Sequence, residues 1–341
     1  MKMKIITLLS LIAFLFNSFA IAGDAKKLAQ TGMKFLQVSL DAKMAGMGDA
    51  TTALDNLGVS GLFSNPASIA RQTNFMEATS GQVRWIADIN YYVGGITIAP
   101  ENGNYGVIGF SFMYVNYGDF DGTIRNNQGY VETGIFNPSA YALGITYAKA
   151  LNDKFSIGGS VKYALQDLTA GIVNITDAEL TKTLYKPNSL VFDFGVLYHT
   201  GIQSLDFAAS IKNFSKDIQL ERSQEKFQLP LTFRVGFAYN ASDILELDKN
   251  EYSIQLAFDS VVPRDNVEEV DLGVEFKFMN SFALRGGYLS GKEGEYSMTY
   301  GLGFNKSIEG YSLGFDYAYI PWNPDSHSFS DIHKFSIHFG I

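Results

Sequence analysis

The sequence predicts an all-β fold, a transmembrane antiparallel up-and-down β-barrel of about 14 strands, with an N-terminal hatch that plugs the lumen. Three observations predict this fold. An export signal opens the chain, no later stretch is long and apolar enough for a transmembrane helix, and alternating segments fill the chain from Phe75 to Ile341. An exported chain without a second apolar span is either soluble or a β-barrel, so the strands decide between these classes.

The composition agrees with strands that have one apolar face and one polar face. Aromatic residues make up 14% of the 341 residues, and charged residues make up only 18%, below the roughly 25% that is usual for soluble domains. The net charge of −9 implies no basic surface, which argues against a nucleic-acid partner. The chain has no Cys, so disulfides and thiolate chemistry are excluded.

The first 22 residues have the pattern of a secretory signal peptide. Lys2 and Lys4 precede the apolar run Ile5–Phe16, and small residues then provide cleavage sites after Ala20 and after Ala22. We favour cleavage after Ala22, with an uncleaved anchor as the alternative. Either way, the pattern predicts export across the inner membrane.

The remaining chain divides where the residue pattern changes. Met44–Arg71 is rich in Ala, Gly, Ser and Thr and lacks the alternation of a strand. We therefore expect residues 1–22 to be a signal peptide, 23–43 a periplasmic N-terminal segment, 44–74 a lumenal hatch and 75–341 the transmembrane barrel.

Individual segments alternate as membrane-spanning strands do. In Val270–Phe278 and in Tyr311–Tyr319, every second residue is apolar and those between are polar or small. The segments run about 9–13 residues, the length of a tilted membrane-crossing strand, whereas strands of soluble proteins centre near 5–6. The predicted strands begin near Phe75, Asp88, Asn104, Ser139, Lys154, Asn188, Gln203, Leu229, Glu251, Val267, Ser281, Tyr296, Gly310 and Asp331.

Connections alternate between short turns and long loops, as expected when one barrel end faces the periplasm and the other faces outward. The long loops are Gly118–Pro138, Leu168–Pro187 and Phe214–Gln228. Charged residues on the polar faces either form a paired network that anchors the hatch or line a substrate path. They are Lys162, Asp193, Asp206, Lys212, Arg234, Asp259, Asp271, Glu275, Lys277, Arg285 and Asp316.

Motifs of enzyme chemistry are missing from the sequence. The four His residues have no metal-binding spacing with carboxylates on a helix, and no Gly-x-Ser-x-Gly turn occurs. We therefore expect no catalytic, cofactor-binding or metal residues, no cofactor, and a protein that is not an enzyme.

The hatch residues carry a resemblance to a known family. The run Ala45–Ala50 followed by Asn65–Ala70 resembles the N-terminal signature of the PorV/PorQ family of outer-membrane proteins, which is related to FadL-type long-chain fatty-acid transporters. The matching hatch residues are Gly46, Gly48, Asn65, Pro66 and Ala67. The small residues let backbone approach the barrel wall, and the Asn–Pro pair favours a stiff turn.

The resemblance implies a bacterial outer-membrane location with lipid around the barrel, and a part in type IX secretion by binding translocon subunits or the C-terminal domains of cargo. The alternative is a FadL-like transporter of hydrophobic small molecules, and a third hypothesis is a soluble secreted β-protein. Contacts with cargo or ligand are expected at apolar loop positions, namely Phe120, Ile124, Phe136, Leu168 and Ile172.

Overall fold

The computed structural model describes residues 31–126, 129–168, 173–176, 179–182, 185–202, 204–219, 226–245, 247–248, 251–290, 298–322 and 330–341. Within these ranges, 14 strands form one closed antiparallel barrel. The predicted signal peptide and Ile172 lie outside the described residues. No helix in the described part of the chain is long and apolar enough to cross a membrane.

The barrel strands follow one another around the wall in chain order. They are β1 (Met76–Arg84), β2 (Asn90–Ile98), β3 (Val107–Asn116), β6 (Ser139–Ala150), β7 (Phe155–Asp167), β10 (Asn188–His199), β11 (Leu205–Ser215), β14 (Thr232–Asn240), β15 (Tyr252–Pro263), β16 (Glu269–Phe278), β17 (Phe282–Leu289), β18 (Met298–Ile308), β19 (Tyr311–Ile320) and β20 (Ile332–Gly340). Each begins at most three residues after its predicted start. The alternating pattern therefore located all 14 strands.

The first and last strands close the barrel. β1 pairs antiparallel with β20, from Glu77 opposite Gly340 to Arg84 opposite His333. Closure leaves no unpaired sheet edge, which is a requirement for strands surrounded by lipid. A soluble sandwich of two open sheets is thereby excluded.

Each end of the barrel has its own type of connection. The end that holds the chain terminus Ile341 has mostly short turns and one short helix, α2 (Ser242–Leu245), and we call it the turn end. The other end, here the hairpin end, carries the predicted long loops. Each of these contains a two-stranded hairpin that the alternation did not predict: β4–β5 (Phe120–Asn126 and Gly129–Phe136), β8–β9 (Val173–Thr176 and Glu179–Lys182) and β12–β13 (Ile218–Gln219 and Lys226–Phe227). Short 3-10 helices also occur, Ile86–Asp88 at the hairpin end and Pro100–Gly103 at the turn end.

The outer wall is apolar. Phe110 and Phe112 on β3, and Leu302 on β18, are among the large side chains exposed there. Tyrosines form stacked pairs towards the hairpin end, with Tyr300 and Tyr319 as one pair whose ring centroids lie 6.4 Å apart. An apolar band flanked by aromatic rings is the surface that a lipid bilayer requires.

Residues 31–74, here called the inner segment, lie inside the wall. The segment contains helix α1 (Ala42–Gly46) and the 3-10 helices Lys34–Gln37, Gly58–Phe63 and Pro66–Arg71. Helix α1 contacts β17 to β20, whereas Pro66–Arg71 contacts β6, β7 and β10 on a different part of the wall. Phe35 and Leu36 belong to the segment predicted to be periplasmic. Both are buried, and the apolar side chains of residues 33–40 pack with those of the predicted hatch.

Candidate functional site

Helix α1 is short, so its stability depends on its cap and on the wall around it. The carboxylate of Asp41 accepts hydrogen bonds from the backbone N–H groups of Lys43 (2.9 Å) and Met44 (3.2 Å). Its second oxygen accepts from the hydroxyl of Ser60 at 2.8 Å. One buried carboxylate thus joins two parts of the inner segment.

Gly46 and Gly48 lie where the inner segment touches the wall. A Cβ atom at Gly46 would lie 2.9 Å from the Cα atom of Gly301. Gly48 has a φ of +60°, and its Cβ atom would lie 2.7 Å from the carbonyl oxygen of Leu272. The small residues predicted to permit a close approach are therefore in backbone contact with the barrel.

Asn65 fastens the second half of the inner segment. Its side-chain amide donates to the carbonyl oxygens of Thr52 (2.9 Å) and Val196 on β10 (3.1 Å). Its side-chain oxygen accepts from the N–H of Ala67 at 3.0 Å, so Asn65 also caps the 3-10 helix that Pro66 begins. The wall makes room at Gly195, where a Cβ atom would lie 1.8 Å from the Asn65 oxygen.

Buried charges anchor the inner segment to the barrel. One oxygen of Asp259 accepts from the N–H groups of Thr51 and Thr52, both at 3.1 Å, and from the Thr52 hydroxyl at 2.6 Å. Arg234 lies 3.5 Å from that same oxygen and 3.2 Å from Asp271, and donates to a backbone carbonyl of the inner segment at 2.9 Å. These charges have the anchoring role that was one of the two interpretations of the polar strand faces.

A second network lies beneath helix α1. Arg285 donates to Glu275 (2.6 Å) and to Asp316 (2.5 Å), and all three side chains are buried. His338 lies 3.0 Å from Asp316. Buried carboxylates need such partners, because moving one charged group from water into the protein interior costs roughly several kcal/mol.

Two cavities lie on opposite sides of the inner segment. The turn-end cavity has a volume of about 410 Å³ and a largely polar lining that includes Lys43, Glu77 and Asp316. The hairpin-end cavity has a volume of about 450 Å³, within the size range of small-molecule sites. Its apolar side is formed by Phe35, Trp85, Tyr91, Tyr117, Leu289 and Ile320, and Arg234 and Lys334 are among its polar groups.

Polar contacts next to the hairpin-end cavity join the start of the inner segment to the barrel wall. Lys34 and Thr31 both donate to the carboxylate of Asp265 in the β15–β16 connection. Burial opposes ionisation of this group, but the hydrogen bonds from Lys34 and Thr31 outweigh it and hold the pKa of Asp265 below its usual value. Burial also raises the pKa of Tyr117 to about 12, so this cavity tyrosine is a neutral hydrogen-bonding group at physiological pH.

Among the described side chains, three of the apolar loop residues predicted as contacts, Phe120, Phe136 and Leu168, do not line that cavity. Phe120 and Phe136 stack on each other in the β4–β5 hairpin, with ring centroids 5.5 Å apart. Ile124 belongs to the same hairpin, and the N–H of Leu168 donates to the Tyr185 carbonyl at 2.9 Å. In the described residues, the cavity wall comes instead from strand ends and from the inner segment. Whether the hairpin residues contact cargo stays a prediction.

The structure also assembles a cluster that the sequence patterns did not indicate. Asp55 of the inner segment, His199 at the end of β10 and Asp206 near the start of β11 bring one ligand atom each within 4.8 Å of one another. His199 Nδ1 and Asp206 Oδ1 are hydrogen-bonded at 2.6 Å. Spacing along a helix does not reveal this cluster, because its residues meet through strand pairing and the path of the inner segment.

Solved structures with a similar fold include proteins described as channels and transporters. The monoaromatic hydrocarbon channel CymD superposes with a TM-score of 0.56 at 12% sequence identity, covering 89% of this chain and 97% of that chain. The Pseudomonas putida toluene transporter TodX gives a TM-score of 0.55 at 11% identity, with coverages of 88% and 96%. A Pseudomonas aeruginosa FadL homologue gives 0.50 at 10% identity, with coverages of 92% and 99%. At such low identities these likenesses establish the fold alone.

The closed wall, the apolar outer band and the filled lumen define a β-barrel protein of the bacterial outer membrane. The family model described as "Type IX secretion system membrane protein PorP/SprF" matches residues 100–339. That match covers more than half of the chain, so the protein belongs to the PorP/SprF family. No curated protein sequence matched this chain. The resemblance to PorV/PorQ is not confirmed, although the type IX secretion assignment that it implied is shared by the matching family.

Proposed function

We propose that this barrel takes part in type IX protein secretion by binding cargo or translocon components at its hairpin end, without catalysing a reaction. Family membership supports the secretion system as the setting. The filled lumen supports a binding role, because the inner segment and its buried ion pairs occupy the space that a polypeptide would need for passage. In this proposal residues 44–74 act as a hatch.

The observation that carries the proposal is the apolar surface of the β4–β5 hairpin. Tyr130 and Ile135 are 70% and 72% exposed, and Phe120 and Val131 are nearly half exposed. The hairpin extends beyond the barrel strands, so lipid does not cover it. Large exposed apolar side chains outside the membrane-spanning wall are typical of a protein-binding site.

A pull-down from detergent-solubilised outer membranes tests this role. The double variant Tyr130→Ser and Ile135→Ser should lose translocon subunits or signal-bearing cargo that the wild-type protein retains. Tyr105→Ser is the matched control, because Tyr105 is 69% exposed but lies at the turn end. Equal recovery of partners by all three proteins would refute binding through the hairpin, and normal cargo display in a deletion strain would refute the role in secretion.

A second candidate function is transport of hydrophobic small molecules, which the hairpin-end cavity favours. Trp85, Tyr91 and Tyr117 form an aromatic side of suitable size for a monoaromatic or acyl group. Titration of the purified protein with toluene and with a long-chain fatty acid, monitored by Trp fluorescence, tests this function. Saturable quenching that Tyr91→Ala abolishes would support it, and the absence of saturable binding by the wild-type protein would refute it.

A further inference from the structure

At the turn end, three metal-binding side chains meet where the inner segment touches the barrel wall. His199 is the last residue of β10, Asp206 is the second residue of β11, and the two are direct cross-strand partners. Asp55 approaches them from the inner segment. The described residues donate no hydrogen bond to the carboxylate of Asp55, which is exposed.

We propose that Asp55, His199 and Asp206 form a Zn²⁺ site that fastens the inner segment to the barrel wall. One imidazole nitrogen and two carboxylate oxygens are a ligand set that suits Zn²⁺. Mg²⁺ and Ca²⁺ prefer sites with oxygen ligands only, so the imidazole nitrogen favours Zn²⁺ over these two ions.

The distances allow such a site with small movements. Tetrahedral Zn²⁺ with bonds of about 2.0–2.2 Å places its ligand atoms about 3.3 Å apart. The ligand atoms now lie within 4.8 Å of one another, and Asp55 is exposed, so its side chain is free to rotate inward. The ion would replace the proton that His199 Nδ1 and Asp206 share at 2.6 Å, with the imidazole proton then on Nε2.

Charge in the cluster also favours a cation. Asp55 and Asp206 repel each other, and the guanidinium of Arg71, which donates to the carbonyl oxygen of Asn152 at 2.7 Å, offsets only part of that repulsion. The side chains of His199 and Asp206 keep partial exposures of 23% and 15%. Water therefore reaches the cluster and can supply a fourth ligand.

Calorimetric titration of the full chain in detergent, after dialysis against EDTA, tests the site with Zn²⁺ alone. The wild-type protein should bind one Zn²⁺ per chain, and Asp55→Asn should weaken the affinity by about tenfold or more. Asp153→Asn is the control, because Asp153 is an exposed acid in the adjacent turn and should leave binding unchanged. Asp55 is itself exposed, so its substitution does not threaten folding.

Hydrogen exchange gives a second readout that concerns the fastening. Zn²⁺ should slow exchange of the amides around Asp55 in the wild-type protein and leave them unchanged in Asp55→Asn. Absence of saturable wild-type binding would overturn the proposal, as would Zn²⁺ affinity that Asp55→Asn leaves intact. Binding without slower exchange would overturn the fastening role.

Discussion

Replacing Asn65 with Ala should loosen the inner segment without opening the barrel. The substitution removes the cap on the N–H of Ala67 and the donors to the carbonyl oxygens of Thr52 and Val196. Loss of a cap costs about 1 kcal/mol, and loss of each of the two further hydrogen bonds costs about 1 kcal/mol. The sum of about 3 kcal/mol corresponds to roughly a hundredfold change in a local opening equilibrium.

Hydrogen exchange measured by mass spectrometry is the assay, because local opening governs amide exchange in a folded protein. Amides of the 3-10 helix Pro66–Arg71 should exchange about a hundredfold faster in Asn65→Ala, while those of the barrel strands should stay protected. Asn56→Ala is the matched control, since Asn56 is an exposed Asn of the same segment. If the two variants exchange at the same rate, the fastening assigned to Asn65 is wrong.

Three further predictions concern the wall and the orientation of the barrel. Gly195→Ala places a Cβ atom 1.8 Å from the Asn65 oxygen, so it should prevent the inner segment from docking and make that segment sensitive to protease. Gly94→Ala is the control, because the nearest atom would lie 3.7 Å away, and its inner segment should resist protease as well as that of the wild-type protein. Arg285→Met removes the guanidinium that two buried carboxylates share, leaving Glu275 only with Lys277 at 3.2 Å and Asp316 only with His338 at 3.0 Å. The loss should destabilise the barrel by about 3 kcal/mol, measured as a lower temperature for the heat-induced gel shift. An unchanged temperature would contradict the pairing. The chain has no Cys, so a single introduced Cys can report the orientation of the barrel. Lys34→Cys at the hairpin end should react with a membrane-impermeant maleimide in intact cells, and Asn280→Cys at the turn end should react only after lysis. The reverse pattern would show that the barrel has the opposite orientation.

Strand positions were predictable because alternation is a local property of the sequence. Each strand had to present apolar residues to lipid at every second position, so the pattern alone located β16 and β19 to within two residues. The composition of the predicted hatch was informative for a related reason. Backbone contact with the wall requires small residues, and Gly46 and Gly48 make that contact.

The long loops were harder to interpret, because their hairpins face water on several sides. The apolar residues of β4–β5 follow no single buried face, and Tyr130 and Val131 are both exposed despite being neighbours. Periodicity therefore had no basis there for predicting strands. Phe35 lies in a short apolar run, and such a run does not reveal which surface it packs against.

By itself, the sequence determined the class of fold, the number of barrel strands and the small-residue character of the part inside the barrel. Only the tertiary structure decided which charges pair, as with Arg285, Glu275 and Asp316, and which residues form the hairpin-end cavity. It also brought Asp55 to His199 across more than 140 positions of sequence. The physical reason is that strand alternation depends on immediate neighbours, whereas these contacts depend on closing the wall around a folded segment.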